Sequence, residues 1–395
     1  MTTTASRRGI RPGYKSAAAV FAIGMAGTTL PTPLYGLYRE EIGFSELMVT
    51  VIFASYAVGV IATLLLVGNY SDEAGRRPVL FCALGLAAAS AACFLLEGGL
   101  PFLFAGRLLS GFSAGLLSGA GTVTVLELAS PERRSRAGFA ATAANMGGLG
   151  CGPLLSGLLA EYAPMPLTLP FLTHLGLVCV ACVIVLLLPE TVPRPRLWTR
   201  PRPPGLYVPP QVRGVFAPSA LAAFAGFALL GLFTAVAPSF VAQTLDITNL
   251  AVSGLVVFSV FLASTVGQSL TGRLPERAAL PLGCLVLVVG LLLVGASLWA
   301  QALPLLVAGA FCGGLGQGLS FRAALTAVSD AAPPAHRAAT VSSFFVVAYT
   351  GISLPVVGVG ALTMWLGLDA AGLIFTGCVT VLAATTGVHL ARRKA

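Results

Sequence analysis

The sequence predicts an all-α membrane protein with twelve transmembrane helices, arranged as two six-helix bundles that repeat each other in the same orientation. Three observations predict it. The 395 residues divide into twelve apolar runs, each close to the ~20 residues that a spanning helix needs. The basic residues gather on alternate loops between those runs. The second half repeats the spacing of the first at an offset near 203 (308 − 105).

The runs lie at 15–38, 47–68, 79–97, 101–128, 137–160, 168–188, 215–242, 250–271, 279–299, 303–328, 338–362 and 368–390. Hydrocarbon offers no water to backbone N–H and C=O groups, so each run must be helix. The composition is 56% hydrophobic and 9% charged, against about 25% charged in a soluble domain. Twelve helices and short loops use up the sequence, leaving no room for a sizeable soluble domain. The longest loop, 189–213, divides an N-terminal bundle (1–188) from a C-terminal bundle (214–395). Its eight prolines, interleaved with arginine, favour an extended, semi-rigid linker.

Arg7, Arg8 and Arg11 precede the first run and Lys15 opens it. Arg76, Arg77, Arg133, Arg134, Arg136, Arg194, Arg196, Arg200, Arg202, Arg213, Arg273, Arg277 and Arg337 occupy the even-numbered loops, and Arg392, Arg393 and Lys394 follow the last run. The odd-numbered loops hold only Arg39. Cytoplasmic loops carry the excess of Lys and Arg, so both termini are expected in the cytoplasm and the protein in the cell (inner or plasma) membrane. The first run is longer than a signal-peptide core and predicts a retained helix. The net charge of +9 is spread over seven segments. It therefore points to topology and anionic lipid heads, and away from nucleic acid. All eight cysteines lie within apolar runs, which argues against a disulfide framework; Cys179 and Cys182 read as packing residues.

The internal repeat carries the functional class. Ala105 and Gly106 align with Ala308 and Gly309, and Gly111, Gly115 and Leu116 with Gly314, Gly318 and Leu319. Glu127, Pro131 and Arg134 align with Asp330, Pro334 and Arg337. At slightly larger offsets Phe53 and Gly59 match Phe261 and Gly267, and Gly68 and Asp72 match Gly272 and Glu276. Six helices per repeat put both halves in one orientation, about an axis along the membrane normal. Secondary transporters have this architecture, with the substrate site between the halves near the midplane.

Three motifs sharpen the reading. Gly68-Asn-Tyr-Ser-Asp72-Glu-Ala-Gly75-Arg76-Arg77 follows the second span and resembles the signature loop of the major facilitator superfamily, G-x-L-x-D-R-x-G-R-[RK]. Arg107-Leu-Leu-Ser-Gly111-Phe-Ser-Ala-Gly115 in the fourth span is similar to that superfamily's R-x-x-x-G-x-x-x-G helix. Gly148-Leu-Gly-Cys-Gly152-Pro153-Leu-Leu-Ser156-Gly157 in the fifth resembles the Gly-Pro element of its twelve-helix drug–proton antiporter branch, with Ser156 in place of one glycine. The resemblance implies the major facilitator fold and transport by alternating access, with no catalytic residues, no metal and no cofactor. It implies a charge relay or latch at Asp72, Arg76 and Glu127, supported by Gly68 and Gly75, and a coupling role for Arg107. Glu73 departs from the motif by placing a negative charge where the superfamily has arginine.

The residues support these roles physically. Asp72 at the mouth can accept bonds at the N-terminus of the eleventh helix, where the macrodipole is positive. Arg76 can pair with Asp72 or Glu127. Arg107, inside the membrane, is costly unless it serves a site or bonds to helix-1 carbonyls. Gly148 and Gly152 permit close packing and Pro153 bends the helix. Pro31, Pro33 and Pro238 can bend the first and seventh helices.

No Asp or Glu lies mid-helix; His174 is the one candidate titrating group in the sixth span. Candidate cavity residues are Thr29, Tyr35, Tyr56, Asn145, Thr234, Gln268, Gln317, Arg322 and Tyr349. Phe and Tyr with few charges suit a small amphiphilic or aromatic compound better than a free sugar. The leading expectation is a monomeric, proton-driven exporter of such compounds. The alternatives are a nutrient or sugar importer, faintly echoed by Pro189-Glu190-Thr191, and a membrane sensor. An enzyme is not expected, because no nucleophile–histidine or metal-ligand set is visible.

Overall fold

A computed structural model describes residues 13–67, 70–96, 98–193, 195 and 205–392. Gly68, Glu97, most of the arginines of the linker and the basic residues at 7, 8, 11, 393 and 394 lie outside the described residues. The described residues form helices and no strand. Among the described residues eleven helices are long and apolar enough to cross a membrane. They are α1 (Tyr14–Ile42), α2 (Glu46–Val67), α3 (Arg76–Leu95), α4 (Leu100–Glu127), α6 (Leu169–Leu187), α7 (Pro210–Ala235), α8 (Leu250–Arg273), α9 (Glu276–Ala300), α10 (Leu303–Ala331), α11 (Pro334–Leu366) and α12 (Leu368–Arg392). The remaining expected span is also helical, α5 (134–162), and its glycines and Asn145 dilute its hydropathy. Six helices precede the linker and six follow it.

Two helices break where proline withholds an N–H. Regular helix in α1 stops at Thr29, passes through a tight turn at Thr32–Leu34, and resumes at Tyr35–Ile42. The helix α7 stops at Ala235, and a short helix, Ala237–Gln243, continues with Pro238 in its first turn.

The two halves pack their own helices alike, as the repeat requires. A Cβ on Gly59 in α2 would come within 3.0 Å of the Gly111 Cα in α4, and one on Gly267 in α8 within 3.0 Å of the Leu319 nitrogen in α10. Only glycine lets these backbones approach so closely.

The helix ends that bear the even-numbered loops make a basic face; the opposite ends make a far face. The halves meet at the far face. There Gly157 of α5 lies against Leu250 of α8, and Gly360 of α11 against Leu47 and Thr50 of α2. Glu46 at the head of α2 pairs with Arg39 and accepts bonds from Ser239 (3.1 Å) and Gln243 (2.5 Å) of the other half. Glu161 of α5 accepts from the Leu250 N–H at the start of α8 (2.9 Å). Toward the basic face the halves part around a groove of about 740 Å³, with Leu126, Arg134 and Gly138 on one wall and Gln268, Glu276 and Arg322 on the other.

Candidate functional site

A cavity of about 280 Å³ lies between the halves, beyond that groove. Gly138, Thr142, Gln268 and Arg322 line both. Its walls are aromatic. Phe227 and Tyr349 meet edge-on with ring centroids 5.5 Å apart, Phe227 and Phe321 lie 5.2 Å apart, and Phe345 packs on Tyr349 at 6.4 Å. Tyr56 of α2 reaches Tyr349 of α11 across the two halves, with centroids 6.5 Å apart. Thr29, Ser118, Thr122, Asn145, Thr234 and Gln268 supply scattered polar groups.

The helices are not regular where they pass the cavity. Wide π turns occur at Leu117–Gly121 in α4 and Ala143–Gly147 in α5, and Ser118 and Asn145 within them line the cavity. The equivalent stretches of α10 and α11 are plain α-helix. Such turns concentrate at functional sites. No residue pattern in the sequence marks them.

Of the nine expected cavity residues, Thr29, Tyr56, Asn145, Thr234, Gln268, Arg322 and Tyr349 line it. Tyr35 does not: beyond the break in α1 its ring enters a far-face cluster with Leu30, Leu34, Phe94 and Phe171. Gln317 does not either. It is fully buried in its own half, where its carbonyl accepts from Ser264 (2.6 Å) and its stem packs on Gly226. His174 also lies off the cavity, buried against Gly27 of α1, with neither ring nitrogen bonded among the described residues.

Arg107 lines the cavity while only 1% exposed. One guanidinium nitrogen donates to the Thr28 carbonyl where regular helix in α1 ends, and the other lies 3.5 Å from the Phe53 carbonyl. The group sits over the rings of Phe53 (5.2 Å) and Tyr56 (4.8 Å). Its Nε has no partner among the described residues.

The Gly-Pro element of α5 packs on α1. A Cβ on Gly148 would press on Ala22 and Met25, and one on Gly152 on Ala26 and Thr29. Pro153 cannot donate to the Leu149 carbonyl, and the Thr29 hydroxyl donates to it instead, at 2.6 Å.

The signature residues form a charged cluster at the basic face. Arg76, 6% exposed, fills its centre. Its Nη1 donates to Asp72 Oδ1 and Ser71 Oγ, both at 2.6 Å. Its Nε and Nη2 fork onto Glu127 at 3.2 and 3.0 Å, the geometry that makes Arg–carboxylate pairs strong. Asp72 stands on a short helix, Tyr70–Ala74, and its side chain stays 59% exposed. Its expected partnership with the start of α11 is not made, since the halves are parted at this face; the second turn of α11 meets the linker instead, with Thr340 donating to the Tyr207 carbonyl at 3.2 Å. Glu73 is exposed and forms no ion pair among the described residues. Gly75 turns the chain into α3 at φ +99°, a conformation that side chains rarely adopt.

Two members of this cluster carried little weight in the sequence. Glu190 accepts from the N–H groups of Arg76 (2.9 Å) and Arg77 (3.0 Å) and so caps α3, and the Thr191 hydroxyl donates to Glu127 at 2.5 Å. The Pro-Glu-Thr triplet was the only signal that could have found them.

Twelve helices in two like-oriented halves, a cavity between them and a charged cluster after α2 define a membrane transporter, not an enzyme. Residues 17–354 match the sequence profile of the Major Facilitator Superfamily, and the chain belongs to that superfamily. The class D tetracycline resistance protein of Salmonella ordonez is 35% identical over 115 residues, 29% of this chain and 29% of that protein. The Escherichia coli protein MdtD, named for multidrug resistance, is 29% identical over 136 residues, 34% of this chain and 29% of its own length. The chain thus matches under a third of the length of either relative. Crystal structures of the human organic anion transporter MFSD10 (TM-score 0.65, 19% identity, 95% of this chain and 98% of that one) and of a bacterial homologue of the lysosomal transporter Spinster, inward-facing and unoccupied (TM-score 0.68, 15% identity, 97% and 98%), share the fold.

Proposed function

We propose that the protein exports small amphiphilic or aromatic compounds from the cytoplasm across the plasma membrane, by alternating access and in exchange for protons. The observation that carries this reading is the aromatic cavity between the halves, open toward the basic face and closed at the far face. Basic loops stay in the cytoplasm on insertion, so the open mouth is the cytoplasmic one. Ring faces with a few hydroxyls and amides suit a ring-bearing amphiphile. The names of the two curated relatives, which concern tetracycline and multidrug resistance, support export.

In this reading the halves rock about the cavity. When the basic face closes, Asp72 leaves its exposed position and caps the first turn of α11, while Arg76 keeps Glu127 in place. Protonation of the cluster's carboxylates weakens that latch, which ties proton movement to opening. No resident cofactor enters the cycle, and one copy of the chain performs it.

The test uses proteoliposomes with an internal pH reporter, to which amphiphilic antibiotics and dyes are added. Wild type is expected to move protons when a transported compound is added, and Asp72→Asn to lose that movement while folding normally. Flux of a compound without proton movement would refute antiport, and silence across the panel would refute the substrate class.

A further inference from the structure

The charge lining the cavity is of one sign. Among the described residues two guanidinium groups reach it, Arg107 from the N-terminal half and Arg322 from the C-terminal half, and no carboxylate lines it. Among the described residues Arg107 is held by two carbonyls and two ring faces, which carry partial charges, and its buried Nε finds no partner there. Arg322 forms no ion pair among the described residues and stands where the cavity meets the groove. Glu276, Asp330 and a further cation, Arg134, line the groove but not the cavity. A guanidinium in low-dielectric surroundings without a counter-ion is held at a cost. Arg107 meets that description, and Arg322, exposed at the mouth, adds a second positive charge to the same cavity; together they form a site whose missing component is an anion.

We infer that the transported compound is an organic anion. Its ring lies against Tyr56, Phe227, Phe321 and Tyr349, and its acid group lies between the halves, forked onto Arg322 and facing Arg107. The inference rests on the transport reading above and names its substrate class. An organic cation meets two like charges in the cavity and no carboxylate to pair with, which is discrimination by repulsion. A neutral compound leaves the buried guanidinium of Arg107 uncompensated.

Three probes with one ring system separate these cases: 1-naphthylacetate, 1-naphthylacetamide and 1-naphthylmethylammonium, titrated calorimetrically into the purified full-length protein in detergent. The acetate is expected to bind at least about tenfold more tightly than the amide, and the ammonium most weakly. Arg322 is exposed, so Arg322→Gln is expected to fold and to bind the acetate no better than the amide. Arg322→Lys is expected to recover most of the preference. Amide or ammonium binding as tight as acetate in the wild type would overturn the inference, as would an acetate preference that survives in Arg322→Gln, or no acetate binding at all. Equal binding of the three probes leaves the transport reading intact, because proton-coupled flux is scored separately. Retained acetate preference without flux of any compound overturns transport alone.

Discussion

The hydroxyl of Thr29 in α1 donates to the carbonyl of Leu149 in α5, the acceptor that Pro153 leaves without its usual partner. An unpaired carbonyl in a membrane protein is costly, and a neighbouring helix commonly supplies the donor. Here the bend in α5 and the end of regular helix in α1 are fixed together, at the cavity wall.

Thr29→Val is therefore expected to cost about 1–2 kcal/mol, read as a lower unfolding midpoint in detergent, while Thr29→Ser retains stability. Pro153→Ala restores an N–H for Leu149, so the loss on Thr29→Val should shrink to below roughly 0.5 kcal/mol in that background. Strict additivity of the two changes would show that the proline and the threonine are not partners.

A second pair exchanges helix caps. Glu190, just after α6, caps the start of α3. Arg77, in the first turn of α3, donates to the Val185 and Leu186 carbonyls at the end of α6, at 3.2 and 2.8 Å. Each charge sits at the helix end whose dipole it complements. Glu190→Gln and Arg77→Gln should each lower stability by about 1 kcal/mol, with a double mutant less destabilised than the sum. Faster proteolysis of the linker in Glu190→Gln, matched by Arg77→Gln, is the second readout; an unchanged cleavage rate would count against the clasp.

Gly75 combines φ +99° with crowding: an added Cβ would lie 2.9 Å from Glu190 Oε2 and 3.0 Å from the Pro195 Cβ. Gly75→Ala is expected to cost about 1–3 kcal/mol and to push Glu190 off its cap. Thermal unfolding of Gly75→Ala alone and with Glu190→Gln tests this. The two losses should overlap, and full additivity would argue that strain alone is felt.

Much of this was legible because the bilayer imposes it. Run length and arginine placement depend on membrane thickness and insertion, not on packing, so the twelve helices could be read directly. Asp72, Arg76 and Glu127 were legible because a short loop and a helix end bring them together. Glu190 was not, since its role depends on α6 ending beside the start of α3, 114 residues away. The cavity wall was readable only in part. Membrane helices are apolar all round and give no periodic sign of an inner face, so Tyr35 and Gln317 looked as eligible as Thr29 and Tyr349. The decisive facts were a tight turn at Thr32–Leu34, which carries Tyr35 away, and Ser264, which holds Gln317 inside its own half.

The wide turns of α4 and α5 are, in the language of crystals, dislocations: each inserts one residue into an otherwise regular lattice. A dislocation glides by trading hydrogen bonds for others of the same kind. Each residue it passes rotates by about 100° around the axis, while both ends of the helix stay anchored. Ser118 and Asn145 sit on these defects. The N-terminal half thus carries two polar groups of the cavity on such defects, and the C-terminal half faces them with helices that are regular at the equivalent turns.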